Sequence, residues 1–193
     1  MTIRVTLSHV FQHVFLGAAG SIMGGVYMTL RASIVTVSDK GFRGERHDLS
    51  GPAVKDFVES LGGDVVSMDI APDEQSVIAD LLETIADCGK ADIIFTTGGT
   101  GMTPRDVTPE ATEAVIQKRV PGIPEAMRAV NMERVPMAML SRATAGIRGR
   151  TLIINLPGSP KAVKENLEVI RGVVQHMVET LRGTAGDCGR AID

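Results

Sequence analysis

Two aspartates, a glycine-rich turn and a helix start beside a lysine are the residues of this chain whose types and spacing suit phosphate chemistry. Gly98-Gly99-Thr100-Gly101 lets backbone amides approach an anion closely, as phosphate cradles require. It is not a P-loop, because no Gly-Lys-Ser/Thr follows at the required spacing. Nor is it a dinucleotide fingerprint, because Pro104 stands where the third glycine belongs. Asp73 and Asp106 each have a structural use, the first as a helix N-cap and the second as a turn residue ahead of Thr108-Pro109. Together, beside a phosphate cradle, they suit magnesium, which takes one or two carboxylates and completes its shell with water and substrate phosphate oxygens. Ser159-Pro160 reads as a helix N-terminus, itself an anion site, and Lys161 adds a positive charge. Arg105 reads as either a surface charge or a phosphate clamp. No Ser-His-Asp or Cys-His arrangement is present, so covalent catalysis is not indicated.

The elements that must position these residues follow from periodicity. Residues 32–37 are β-branched and apolar, a buried-strand pattern. Pro52 to Leu61 has helical spacing in Val54, Phe57, Val58 and Leu61, and Gly62-Gly63 stops it. Asp64 to Ile70 reads as a second strand. Asp73 is expected to cap a helix carrying Val77, Ile78, Leu81, Leu82 and Ile85 on one face. Gly89 ends that helix, and 92–97 is a third strand. Thr108-Pro109-Glu110 is a helix start with Pro at the first position. A short helix is expected after Pro124, an irregular stretch or short strand over 142–147, and a buried strand over 151–156. The longest helix is then expected from Pro160 to Gly183. Alternation of strands and crossover helices predicts an α/β fold: a single three-layer domain with a mostly parallel open sheet and helices on both faces. In such a sheet ligands sit beyond the carboxyl ends of the strands. Those ends deliver Ser38-Asp39, Ala71-Pro72-Asp73, Gly98 to Arg105-Asp106, and Pro157-Gly158-Ser159-Pro160-Lys161 to one edge.

Composition narrows the classes. The 193 residues carry 44% hydrophobic and 22% charged side chains, with 20 basic against 23 acidic. That balance is globular, and it lacks the basic excess of a nucleic-acid binder. Aromatics are 3%, too few to stack bases along a single strand. Cys88 and Cys188 have no partner at metal or redox spacing and are expected to be free thiols in a reducing cytoplasm. His9 and His13 lie in an atypical stretch, so no metal is expected there. Residues 1–30 start with a weakly apolar run broken by Gln12 and His13, which fits neither a signal peptide nor a membrane span. They are expected to be a flexible N-terminal extension or a start-site artefact, followed by the domain over 31–183 and a polar tail over 184–193. From the residues alone, the chain is expected to be a magnesium-dependent phosphoryl or nucleotidyl transferase, with neither a nucleic-acid nor a membrane partner.

At its loops the chain resembles the molybdopterin adenylyltransferase family (the Mog/MoaB type, also the gephyrin G domain). The matching stretches are Val37-Ser38-Asp39, Asp48-Leu49-Ser50-Gly51-Pro52, Pro72-Asp73-Glu74 and Thr96-Thr97-Gly98-Gly99-Thr100-Gly101. They continue with Arg105-Asp106-Val107-Thr108-Pro109-Glu110, Pro121-Gly122 with Glu125 and Arg128, Leu140-Ser141-Arg142, and Asn155-Leu156-Pro157-Gly158-Ser159-Pro160-Lys161. They fall in the same order over 31 to about 182. The resemblance implies transfer of AMP from ATP to the terminal phosphate of molybdopterin, with magnesium and release of pyrophosphate, in molybdenum cofactor biosynthesis. It implies Asp73 and Asp106 as catalytic, metal-binding aspartates, and the Gly98–Gly101 and Pro157–Lys161 loops as binding phosphate and pterin. Ser38, Asp39, Glu125 and Ser141 are implied to line the same pocket. A homotrimer and a hand-off to a molybdate-insertion protein are also implied. The alternatives are a non-catalytic molybdopterin carrier of the same fold, or a metal-dependent nucleotide pyrophosphatase.

Overall fold

The computed structural model describes residues 29–185. The expectations for the N-terminal extension, the C-terminal tail, His9, His13 and Cys188 fall wholly or largely outside them. The elements are β1 (Arg31–Val37), α1 (Asp39–Phe42), α2 (Ser50–Ser60), β2 (Asp64–Ala71), α3 (Gln75–Asp87), β3 (Ile93–Thr97), α4 (Thr108–Val115) and β4 (Lys118–Arg119). They continue through α5 (Gly122–Met132), β5 (Ala145–Arg148), β6 (Thr151–Leu156), α6 (Pro160–Ile170) and α7 (Val174–Arg182). Single 3₁₀ turns cover Pro136–Leu140 and Arg171–Val173. Among the described residues, no helix is long and apolar enough to cross a membrane.

The strands form one sheet in the order β2-β1-β3-β6-β5-β4. The first four run parallel, and β5 and β4 are antiparallel additions at one edge. β1, β3 and β6 are buried almost throughout, which explains their continuous apolar and β-branched runs. On one face Ile34, Phe95 and Ile154 pack under Val54 and Phe57 of α2, Met127 of α5, and Val163 and Leu167 of α6. On the other, Val35, Ile94 and Ile153 pack under Ile78, Leu82 and Ile85 of α3 and Ala111 and Val115 of α4. The result is the three-layer α/β architecture expected. β1 sends one crossover to β2 on one side, and the return from β2 passes to β3 on the other. That reversal makes the β1/β3 gap the switch point, where a ligand crevice opens.

Three expectations change. Asp73 does not cap α3: Glu74 occupies that position and makes no side-chain cap bond. The Asp73 carboxylate turns to the Asp39 N–H instead, an unfilled donor at the start of α1. The helix after Pro124 begins earlier, at Gly122, and runs 11 residues with Pro124 in its first turn, where a missing N–H costs nothing. The expected longest helix is two helices, α6 and α7, separated by the 3₁₀ turn containing Gly172. Glycine is a poor helix former, so a break there costs little.

Candidate active site

The four parallel strands end together, and each loop begins by bonding its neighbour. Ser38 N–H donates to the Ala71 carbonyl at 2.9 Å, and Gly98 N–H to the Leu156 carbonyl at 3.1 Å. Gly98 has φ +95°, and a Cβ there would stand 2.3 Å from the Val37 carbonyl oxygen. Only glycine lets β1 and β3 close up at this point. Gly99, at φ +62°, passes equally close over Thr108.

Around this seam lie two clefts. The first, of about 610 Å³, has Ser38, Asp73, Gly98, Gly99, Gly158 and Ser159 in its walls. The second, of about 410 Å³, has Thr100, Gly101, Ser141, Pro157, Ser159 and Lys161 on its polar side, and Met127, Val135 and Met137 on its apolar side. Ser159 belongs to both, and its hydroxyl also caps α6 by accepting from Ala162 N–H.

The carboxylates are wired together. Asp39 N–H donates to Asp73 Oδ2 at 2.8 Å, and Asp73 N–H returns a bond to Asp39 Oδ1 at 3.0 Å. The Arg105 guanidinium clamps the Asp39 carboxylate through Nε at 3.2 Å and Nη2 at 2.8 Å. Arg105 thus resolves as neither a free surface charge nor a free clamp. Its hydrogen bonds hold the Asp39 carboxyl below the usual range, helped by the bond to Asp73. Asp73 moves the other way: burial pushes its carboxyl up, and the charges of Asp39 and Asp106 add to the push. Asp106 Oδ2 accepts from Thr103 N–H at 2.8 Å and lies against Gly101, where a Cβ would come within 2.9 Å.

Asp73 and Asp106 therefore reach one neighbourhood from two loops, near enough for the charge of one to disfavour that of the other. Each engages a backbone N–H through Oδ2, leaving Oδ1 as a hard oxygen donor. Such a pair fits magnesium that borrows its remaining ligands from water and phosphate. No cluster of three or more metal-binding side chains is found among the described residues, so the pair is no closed protein cage. Glu125 is exposed in the first turn of α5 and lines neither cleft. Asp39, Arg105 and Asp106 also stand outside both linings, Asp39 and Arg105 bonded to each other beside Asp73, and Asp106 against Gly101. The other expected binding residues line one cleft or the other.

Thr36, and Asp48 and Thr97 of the matching stretches, carry parts of the site that no expectation assigned to them. Thr36 donates to Asp48 Oδ2 at 2.6 Å, and Asp48 Oδ1 accepts from Ser50 and Gly51 N–H, ordering the start of α2 beneath the first cleft. An Asp two and three residues before backbone donors at a helix start is a readable turn signal. Thr97 Oγ1 is buried at the floor of the same cleft with no hydrogen-bond partner, a position nothing in the local pattern marks.

Comparison with known proteins agrees with this geometry. Residues 33–176 match the family model described as "Probable molybdopterin binding domain". The chain is 40% identical over 157 residues to a protein of Helicobacter pylori named molybdopterin adenylyltransferase, covering 80% of this chain and 89% of that one. It is 39% identical over 152 residues to the molybdopterin adenylyltransferase of Escherichia coli K12, covering 78% of each. Among solved structures, the molybdopterin biosynthesis enzyme MoaB of Thermus thermophilus superposes with a TM-score of 0.76 at 46% identity, over 80% of this chain and 98% of that one. By fold, by loop sequence and by relatives, the chain belongs to the molybdopterin-binding domain family that includes the molybdopterin adenylyltransferases.

Proposed function

We propose that this protein transfers AMP from magnesium-ATP to the terminal phosphate of molybdopterin in molybdenum cofactor biosynthesis, in the cytoplasm. The observation that carries the reading is the pair of adjoining clefts sharing Ser159, with Asp73 in the wall of the first and Asp106 against Gly101, which lines the second. The relatives' names supply the substrates.

An oxygen of the molybdopterin phosphate attacks the α-phosphorus of ATP, the bond from that phosphorus to the oxygen bridging to the β-phosphate breaks, and pyrophosphate leaves. The attacking group is a substrate oxygen, which accounts for the lack of an activated side-chain nucleophile. Two polyanions must meet, so the protein's task is charge neutralisation and alignment. Gly99 to Gly101 offer backbone amides to phosphate oxygens, and the α6 N-terminus at Ser159 does the same from the opposite wall. Lys161, on the second cleft and 3.8 Å from the Glu165 carboxylate, adds a positive charge. Asp73 and Asp106 would hold magnesium, which, when bound, screens the phosphate oxygens. Holding both reactants in line contributes on the order of 7–11 kcal/mol to lowering a barrier of this kind.

A homotrimer is the assembly we infer. Exposed Met137, Met139 and Leu140 on the 3₁₀ turn offer apolar area for a second copy. A molybdate-insertion protein is the proposed recipient of the product.

The test is pyrophosphate release from magnesium-ATP with and without molybdopterin, for the wild type and Asp106→Ala. Release that requires both molybdopterin and Asp106 is expected. Tight molybdopterin binding without release would make the protein a carrier, and release needing only water would make it a pyrophosphatase.

A further inference from the structure

Arg142 lines neither cleft, yet it holds more of the catalytic loop than any residue inside it. Its backbone N–H donates to the Thr100 carbonyl at 3.0 Å. Its Nε donates to the Gly101 carbonyl at 2.6 Å, and Nη2 to the Asp106 carbonyl. The remaining nitrogen, Nη1, pairs with the Glu110 carboxylate on α4. One side chain from beyond the Pro136–Leu140 turn therefore grips the loop at both ends and ties it to a helix.

We propose that Arg142 is the positioning residue of the Gly98–Asp106 loop, setting the aim of the Asp106 carboxylate and of the loop amides toward the transferred phosphoryl group. The role rests on the adenylyl-transfer reading above. Between the two gripped carbonyls the loop has few other anchors. Asp106 N–H bonds the Thr103 carbonyl and Thr103 N–H bonds Asp106 Oδ2, which closes the backbone of the turn from 103 to 106 on itself. Its other tether outward is the exposed Arg105 side chain on the Asp39 carboxylate. At its far ends Thr108 N–H holds the Gly99 carbonyl and Gly98 N–H holds Leu156. Without Arg142 the backbone of the turn would be held only at those ends, with the exposed Arg105–Asp39 pair as a flexible side-chain tether, and its pivoting would carry Asp106 with it. Gly101 is pressed against the Asp106 carboxylate, so a shift of either moves the other. The planar guanidinium suits three targets in fixed directions, and the ammonium of a lysine cannot match that fork. The Glu110 carboxyl, held low by its bond to Arg142, stays ionised and keeps the far anchor charged.

The experiment uses the full chain with Arg142→Met and Arg142→Lys. Amide hydrogen exchange without substrates, the thermal midpoint, and kcat and KM for both substrates are measured together. In Arg142→Met, amides of 100–106 are expected to exchange about tenfold faster while the rest of the sheet keeps its protection. kcat falls about 10²-fold, the cost of misplacing reacting groups by about an ångström, while both KM values stay within about threefold. Arg142→Lys recovers part of the loop protection and part of kcat in parallel, and it carries the test alone if the Met variant does not fold. Low kcat with normal loop protection, a loosened loop with unchanged kcat, or a loss confined to KM would each overturn the proposal. A wild type that releases no pyrophosphate defeats the adenylyl-transfer reading instead. Loop exchange still judges Arg142 in that case, and unchanged protection of the 100–106 amides in Arg142→Met and Arg142→Lys overturns its role.

Discussion

The surroundings of Asp73 oppose its negative charge. Burial disfavours its charge, and the neighbouring carboxylates of Asp39 and Asp106 disfavour it further. A carboxyl whose folded pKa is raised costs stability once ionised above that value, and the cost disappears as pH falls toward the unfolded value of about 3.9. Removing the charge while keeping the acceptor oxygen should therefore relieve the fold. Asp73→Asn is expected to lower kcat roughly 10²–10³-fold, as loss of a preorganised charge does, yet to leave the thermal midpoint unchanged or raise it by about 2 °C. Calorimetry beside the pyrophosphate assay decides: a fall in the midpoint would mean that Asp73 is structural. Asp39 behaves oppositely, because Arg105 stabilises its charge. Adjacent carboxylates are thus pushed in opposite directions, Asp39 fixed by Arg105 and Asp73 being the one whose charge the proposed magnesium would offset.

At the scale of elements, the site is a row of loops hung on strand ends, and its tightest point is backbone against backbone. Gly98→Ala places a methyl 2.3 Å from the Val37 carbonyl at a positive φ, with no side chain able to yield. It is expected to cost roughly 3 kcal/mol or more and to abolish pyrophosphate release. Gly62→Ala is the control: it shares a positive φ of 72° but has nothing within 4 Å, and should cost only about 1–2 kcal/mol. Urea midpoints for the pair separate strain from collision, and equal costs would show that the seam can relax. The same seam marks what periodicity revealed. β1, β3 and β6 were readable because both faces are buried, and Gly98 because no other residue suits the turn. α1, of four residues, and β4, of two, each span about one period, too little for a repeat to show. The break between α6 and α7 was masked because apolar spacing continues across it through Ile170 and Val174. The pairing of Asp73 with Asp39 spans 34 residues, and a strong local capping preference pointed elsewhere.

Across the whole molecule, chemistry and stability occupy opposite ends of the sheet. Where β1 and β3 begin, buried Asp92 accepts from Arg31 Nη2 at 3.1 Å and from Arg182 Nη2 at 2.6 Å, tying α7 to two strands. Burial pushes the Asp92 carboxyl up, but the hydrogen bonds from Arg182 and Arg31 outweigh it and leave it below the usual range. A depressed folded pKa gives stability that is present above the unfolded value of about 3.9 and lost as pH falls through the folded one. Arg182→Met leaves Asp92 with one partner and should cost about 3 kcal/mol, raise the pH of acid unfolding, and leave kcat of the folded protein intact. Circular dichroism against pH, with activity at pH 7, would expose the error if kcat fell as well.

Ser159 stands in the wall between the two clefts, and that has a consequence for turnover. In the proposed transfer each substrate would fill one chamber, and the adenylylated product would be a single molecule lodged in both. Covalent joining converts two separate affinities into one chelate, so residence time lengthens at the moment chemistry is complete. Release of the product, not bond-making, then sets the pace. The signature is a burst of about one pyrophosphate per chain, followed by a slower steady rate that quickens when an acceptor protein draws the product away.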